Sequence, residues 1–505
     1  MELDVGRLPD GACLEADLCI IGAGPAGVAL AREFIGLGIE VLLLESGGTR
    51  REEWPQTLNE GTVAGDAYVG LRPSRHRQIG GTSWIWNTPA SRSTGAKYVP
   101  LDPWDFEPRG GGLDRGWPIQ AAELTPYYRR AQSLAWLGPL AYDAQDWADP
   151  ARPPFALGDD LLASRVYQFG PRRPFTDDYP AQLGAAANLR LCRNATVCRL
   201  LADGTGRRVV EARIGSRSGR WQTARARTFV LAGGAIENPR LLLASHLGND
   251  MVGRCFMEHP RDHALSLDPA TPELFSRAGF YDTHVAADGT LIGGRLALTG
   301  RAVRELDLPN ASVTLLPRVV SPGAGNGLGA RLLRRIQRWG APLPRGGYGW
   351  SRESEPEQVF DGFRLLINLE QRPHPENRIL LGSDTDALGV PRPVLHWRWR
   401  GEEQAGLDRL RGVVVSSLEE AGLGRVTVDS DRPIDPNAHH HAGTTRMDPD
   451  PGLGVVDSDG RVHGTDNLFV TGASVFPSAG FANPTLTILA LALRMADHLK
   501  RTLGR

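Results

Sequence analysis

The chain has 505 residues, long enough for two or more domains. Lys and Arg total 57 against 58 Asp and Glu, a formal net charge of −1, which excludes a whole-protein field that would recruit nucleic acid or an anionic membrane. No stretch reaches the ~18–20 apolar residues that span a bilayer, and no basic segment leads into an apolar run at the N-terminus, so the expectation is a cytoplasmic protein without membrane or nucleic-acid partners.

In chain order, Asp17 to Ile21 reads as a short buried strand. The turn Gly22-Ala23-Gly24-Pro25-Ala26-Gly27 follows, then a helix from Val28 to Leu37 and a second apolar strand from Ile39 to Leu44, ending at Glu45. This is a βαβ unit, for which a parallel sheet is expected. Glu123 to Leu137 is a helix. Leu189 to Leu200 and Val209 to Ile214 read as paired strands around Asp203-Gly204. Thr228 to Leu231 is a strand leading through Gly233-Gly234 to a helix at Asn238 to Ser245. Residues 263 to 432 read as alternating strands with long connections, and within them Ser321 to Gly349 is a candidate flap or surface insertion. A strand at Leu468 to Thr471 and a helix from Pro484 to Leu503 close the chain.

The spacing Gly22-x-Gly24-x-x-Gly27 serves a dinucleotide. The first glycine permits the tight turn, the second admits a pyrophosphate against the backbone, and the third lets helix and strand pack closely. Pro25 and Ala26 belong to the turn that leads into the helix, whose N-terminus faces the phosphates with free N–H groups. Glu45, 18 residues past Gly27, suits ribose hydroxyls and would repel a 2′-phosphate. The motif separates NADP from the alternatives but leaves FAD and NAD open. The C-terminal region favours FAD: a strand ending in Gly472-Ala473 supplies a second small-residue turn far from the first. The final helix, opened by Asn483-Pro484-Thr485 and apolar on nearly every side from 486 to 495, can aim its N-terminus at the N1–C2=O edge of a flavin.

With these motifs in order along nearly the whole chain, the sequence resembles the glucose–methanol–choline (GMC) oxidoreductases. The resemblance is carried by Ile20 to Gly27, Gly80-Gly81-Thr82-Ser83, Ala232-Gly233-Gly234-Ala235, His440-His441-Ala442-Gly443-Thr444 and Gly480-Phe481-Ala482-Asn483-Pro484. Glu258-His259-Pro260 and Glu370-Gln371 look closer to the pyranose-oxidase-like branch. The resemblance implies an α/β fold: a discontinuous Rossmann-like FAD-binding domain (1–95, 185–262 and 433–505) and a substrate domain (96–184 and 263–432) on a largely antiparallel sheet. It implies Val197 beside the adenine, His440 as the base and Asn483 as the group positioning the substrate oxygen. Some members carry a histidine bonded covalently to the flavin five residues past the first glycine of the middle motif. Ile85 stands there, so FAD is expected to be non-covalent.

Alcohol oxidation needs a proton removed from the hydroxyl and a hydride from the carbon, and histidine and asparagine suit the oxygen end of that task. The expected substrate is a small alcohol (a sugar, glycoside, polyol or specialised metabolite), with dioxygen or another acceptor reoxidising the flavin. A redox-neutral lyase on the same fold and a non-catalytic flavin-binding protein are the alternatives. His439, His440 and His441 can also be read as a solvated run, and Asn483 as a helix cap. Trp84 and Trp86 fit stacking or ordinary packing equally, and His259 and His263 read as core or surface residues. No metal is expected. The cysteines (Cys13, Cys19, Cys192, Cys198 and Cys255) are odd in number, lack a C-x-x-C and read as single buried thiols. Lysine occurs only as Lys97 and Lys500, which argues against Schiff-base chemistry.

Overall fold

The computed structural model describes residues 1–90, 93–110, 112–158, 160–319 and 360–504; the candidate flap at 321–349 lies outside them. The βαβ unit is present with shifted ends. The first strand starts early, as Cys13–Ile21, and the helix is Pro25–Arg32. Proline is preorganised for the first helical turn, so the helix begins before Val28, and Gly36, at φ +75°, lies in the turn that stops it short of Leu37. The second strand is Val41–Leu44, parallel to the first.

The architecture is mixed α/β, with a Rossmann-like sheet of eight strands. Its order is Glu2–Asp4, Leu189–Arg193, Val41–Leu44, Cys13–Ile21, Trp221–Leu231, Val209–Gly215 and Thr196–Ala202, with Leu468–Val470 pairing beside Trp221–Leu231. The run expected as one strand from Leu189 to Leu200 is therefore two. Asn194, at φ +56°, turns the chain between them: the first half joins the parallel core, and the second pairs antiparallel with Val209–Gly215. The C-terminal strand lies parallel to Trp221–Leu231, which brings the end of the chain to the dinucleotide turn.

A second sheet of nine strands is antiparallel throughout its pairings. It runs Gly424–Val428, Arg261–Pro269, Phe360–Leu369, Ala311–Val319, Leu291–Leu298, Leu162–Pro171, Ser93–Tyr98 and Thr88–Ala90, with Thr283–Val285 beside Leu291–Leu298. A small third sheet joins Thr62–Gly65 to Arg378–Thr385 and Pro391–Trp397. Among the strands expected over 263–432 stands a 20-residue helix, Gly401–Glu420, that the sequence reading did not anticipate. It buries Leu407, Leu410, Val414 and Leu418, a helical 3–4 spacing.

The last helix, Thr485–Leu503, is buried as expected and packs against Ala121–Leu134 and Pro25–Arg32. Pro484 occupies its cap position rather than its first turn. Four cysteines are buried; Cys13, against expectation, is exposed because it opens the first strand at the surface end. Among the described residues no helix is long and apolar enough to cross a membrane.

One buried ion pair fastens the helix Gly401–Glu420 to the antiparallel sheet. Arg411 donates from Nε and Nη2 to the two oxygens of Asp262, both at 2.9 Å, and both side chains are buried. Removing one partner strands the other charge out of water. Asp262→Ala should therefore lower stability by about 3–5 kcal/mol, read from the chemical denaturation midpoint; an unchanged midpoint contradicts this role.

Candidate active site

A cleft of about 630 Å³ runs between the two large sheets, lined at one end by Glu45 and Val197 and at the other by His440 and Asn483. At the first end the backbone does most of the shaping. Gly22 has φ +108°, and a Cβ there would lie 2.7 Å from the Ala232 oxygen; a Cβ at Gly27 would lie 1.9 Å from the Gly22 oxygen. Gly27 thus serves helix–strand contact and does not line the cleft, whereas Gly22, Gly24, Pro25 and Ala26 do. Gly80 and Ser83 also stand back from it. The Gly80 N–H donates to the Ala23 oxygen at 2.8 Å, and the Ser83 hydroxyl bonds the Gly80 oxygen, so this turn is stitched to the dinucleotide turn and presents Gly81 and Thr82 to the cleft.

Glu45 is buried, with Oε2 accepting the Ala23 N–H at 3.0 Å and Oε1 the Gly47 N–H at 2.9 Å. Burial raises its pKa against those bonds. Oε1 also accepts the Ser46 hydroxyl at 3.3 Å, so only Oε2 retains a lone pair and most of the capacity expected for ribose is spent on the turn itself. Asn238 ties the two small-residue turns together. Its Oδ1 accepts the Gly233 N–H at 2.8 Å, and its Nδ2 donates to Ser474 Oγ at 2.9 Å. Ala232, Gly233, Gly472 and Ala473 consequently face the same cleft.

The fold also brings in residues the sequence reading missed. Arg75, His76, Arg77 and Glu237 line the cleft. Burial would raise Glu237, but Arg77, Arg240 and Arg75 hold it well below the usual carboxylate range. These residues carry no glycine motif or periodic signature. The donor set fits FAD: glycine turns that a Cβ would block, an uncapped N-terminus on each of the helices Pro25–Arg32 and Thr485–Leu503, and buried Thr196 Oγ1 and His76 nitrogens without protein partners along the cleft.

At the other end, Asn483 Nδ2 lies 3.0 Å from His440 Nε2. The amide is therefore engaged with the imidazole rather than capping the helix, and Pro484 and Thr485 line the cleft beside it. His440 Nδ1 lies 3.0 Å from Nδ1 of His259, whose Nε2 lies 3.2 Å from the Ala479 carbonyl oxygen. His259, expected to be an uninvolved core or surface residue, is thus the direct neighbour of His440.

A carbonyl only accepts, so His259 carries its proton on Nε2 and its Nδ1 is an acceptor. His440 then carries its proton on Nδ1, leaving Nε2 with a lone pair facing the cleft. Burial lowers the His259 pKa to about 4, which keeps that ring neutral. Burial, with His259, Lys97 and His441 nearby, also holds His440 well below 6.5.

Glu258 sits beneath both imidazoles. Its Oε2 accepts the His440 N–H at 2.9 Å and the His259 N–H at 3.1 Å; its Oε1 accepts the Tyr68 hydroxyl at 2.5 Å. Burial raises Glu258 to about 7 despite these bonds. Although no metal is expected, the ligand atoms of Glu258, His439 and His441 come within 4.8 Å of one another. Two of them are already engaged by Tyr68, whose hydroxyl lies 2.9 Å from His441 Nε2.

Ile85 lines the cleft and is 44% exposed. Trp86 lines it too, edge-on to Tyr98 and Phe175, whereas Trp84 turns away and donates to the Ile79 oxygen at 2.7 Å. His263 does not line the cleft.

Two family models, each described as GMC oxidoreductase, match residues 170–261 and 373–492. The chain is 25% identical to 6'''-hydroxyparomomycin C oxidase of Streptomyces lividus, over 96% of this chain and 92% of that one. It is 26% identical to the fructose dehydrogenase large subunit of Gluconobacter japonicus, over 96% and 98%. Among solved structures it superposes on pyridoxine 4-oxidase from Mesorbium loti with a TM-score of 0.54 and 18% identity, covering 96% of this chain and 99% of that one, a likeness of fold.

Proposed function

The chain belongs to the GMC oxidoreductases and is an FAD-dependent oxidoreductase, and on that premise we propose that it oxidises an alcohol carbon of a sugar, glycoside, polyol or specialised metabolite with His440 as general base. The observation that carries this reading is the His440–Asn483 pair at 3.0 Å in the cleft that also holds the dinucleotide turn. The chemistry that FAD supplies when bound is acceptance, at flavin N5, of the hydride leaving the alcohol carbon.

The substrate hydroxyl takes the place of the His440–Asn483 contact and donates its proton to His440 Nε2. His259 accepts from His440 Nδ1 throughout, holding the ring in the tautomer that leaves Nε2 free. As negative charge grows on the substrate oxygen, Asn483 Nδ2 and the newly protonated Nε2 donate to it. Glu258 fixes the backbone on which both imidazoles stand. In this reading Gly22, Gly24, Gly81, Thr82, Glu45 and Val197 bind the dinucleotide, and Ile85, incapable of a flavin link, leaves the cofactor non-covalent.

His440→Ala should keep its flavin colour but reduce it on anaerobic mixing with substrate slower by on the order of 10²–10⁴. His259→Phe, which removes only the acceptor, should give an intermediate loss and move the pH profile; reduction at the wild-type rate in His440→Ala would rule the base out. The base form is the neutral ring, and the His440 pKa lies well below 6.5. With rising pH the active form therefore fills early: kcat/KM should hold its plateau down through pH 6.5 and fall only in more acidic buffer. An acid limb centred at or above 6.5 contradicts the assignment. Acid precipitation should release all flavin to the supernatant; a yellow pellet contradicts non-covalent binding.

A further inference from the structure

The nine-stranded sheet contributes Gly95, Lys97 and Arg261 to the cleft. Its register puts Lys97 opposite Phe169, and Arg295 opposite Arg165. Tyr167 lies two residues from each of those partners, so Lys97, Tyr167 and Arg295 share one face. The contacts agree. The Lys97 ammonium lies 4.9 Å from the Tyr167 ring centroid and the Arg295 guanidinium 4.8 Å from it. Arg295 is enclosed on its other side by Phe481, at 4.6 Å, two residues before Asn483.

Among the described residues neither cation has an ion-pair partner. Among the described residues the Lys97 ammonium makes no ion pair or hydrogen bond, and Arg295 is fully buried, with Nε donating to the Val166 carbonyl at 3.3 Å and Nη1 and Nη2 both unpartnered. The nearby carboxylates are committed elsewhere: Asp102 and Asp143 to Arg165, and Asp435 to Arg261. On the same face Asn368 Nδ2 and Thr314 Oγ1 also lack partners among the described residues. A buried guanidinium without an acid is costly, since buried charges call for a partner, and the half-buried Lys97 ammonium beside it presents a second positive charge at the cleft. An anionic acceptor is the complement of the two cations and the unpartnered donors on this face.

We propose that the alcohol oxidised here carries a carboxylate, as in a sugar acid, and that this group pairs with Lys97 while the reacting hydroxyl meets His440 and Asn483. The inference rests on the alcohol-oxidising reading above and narrows it to anionic substrates. Arg295 stays behind the rings of Tyr167 and Phe481 and adds to the positive field; Lys97 makes the contact. An amino sugar would meet this face with like charge.

The test is calorimetric binding of D-glucuronate, D-glucose and D-glucosamine to the anaerobic holoenzyme, for wild type, Lys97→Met and Lys97→Arg. Glucuronate should bind at least about tenfold more tightly than glucose, with glucosamine weakest, as expected for one charge-assisted contact. Lys97→Met should shrink the glucuronate-to-glucose ratio to below about threefold, and Lys97→Arg should retain it. Undetectable glucuronate binding, glucose binding as tightly as glucuronate, or a ratio that survives Lys97→Met overturns the proposal. So does a Lys97→Met variant that shifts the flavin spectrum while leaving the ratio unmoved, which would place the ammonium against the cofactor. Normal flavin bleaching by neutral alcohols without an anion preference would overturn this inference alone; an intact preference with no bleaching by any alcohol would overturn the oxidative reading alone.

Discussion

A carbonyl oxygen can accept a hydrogen bond but never donate one, and the Ala479 carbonyl terminates the chain of imidazoles behind the cleft. That constraint runs outward through His259 to His440 and ends at Nε2, the nitrogen beside Asn483 in the cleft. Without it His440 would be free to hold its proton on either nitrogen, and in one of those forms it could not act as a base. Burial reinforces the effect, because it lowers the pKa of both rings and so favours their neutral forms. The proposed chemistry therefore depends less on an unusual basicity of His440 than on where a single proton is kept.

The fold serves this arrangement in a particular way. His259 precedes the strand Arg261–Pro269, His440 belongs to the segment that leads back to the parallel sheet, and Ala479 and Asn483 both lie just before the last helix. Glu258 is the point where the first two are tied, since one carboxylate oxygen receives both backbone N–H groups. Burial raises its pKa to about 7 against the three hydrogen bonds that favour its charged form. Asn238 plays the corresponding part at the other end of the cleft, where it joins the Gly233 turn to the Ser474 turn. Each end of the cleft is thus closed by one buried polar side chain spanning segments remote in sequence, a use of buried hydrogen bonds for specificity of arrangement.

Much of this was legible from residues alone, where the physics is local. The glycine spacing at 22–27, the acidic residue after the second strand and the apolar final helix each carry their reason within a few positions. The pairing of His440 with Asn483 came from resemblance, and the 3.0 Å contact gives it a geometry. The role of His259 could not be found this way: Glu258-His259-Pro260 carried a resemblance but no assignment, and the partner of His259 lies 181 positions away. The same holds for Lys97 and Arg295, which meet only through sheet register. The helix Gly401–Glu420 is a different case. Leu407, Leu410, Val414 and Leu418 announce a helical stripe, but the surrounding strands masked it. At Asn194 a residue tolerant of positive φ divided what read as one apolar run.

The proton positions themselves are the most direct check. Neutron diffraction from deuterium-exchanged crystals of the FAD-loaded enzyme would locate them without reference to activity. The account predicts deuterium on His259 Nε2 and on His440 Nδ1, with His440 Nε2 bare. Deuterium on His440 Nε2 and none on Nδ1 would contradict it.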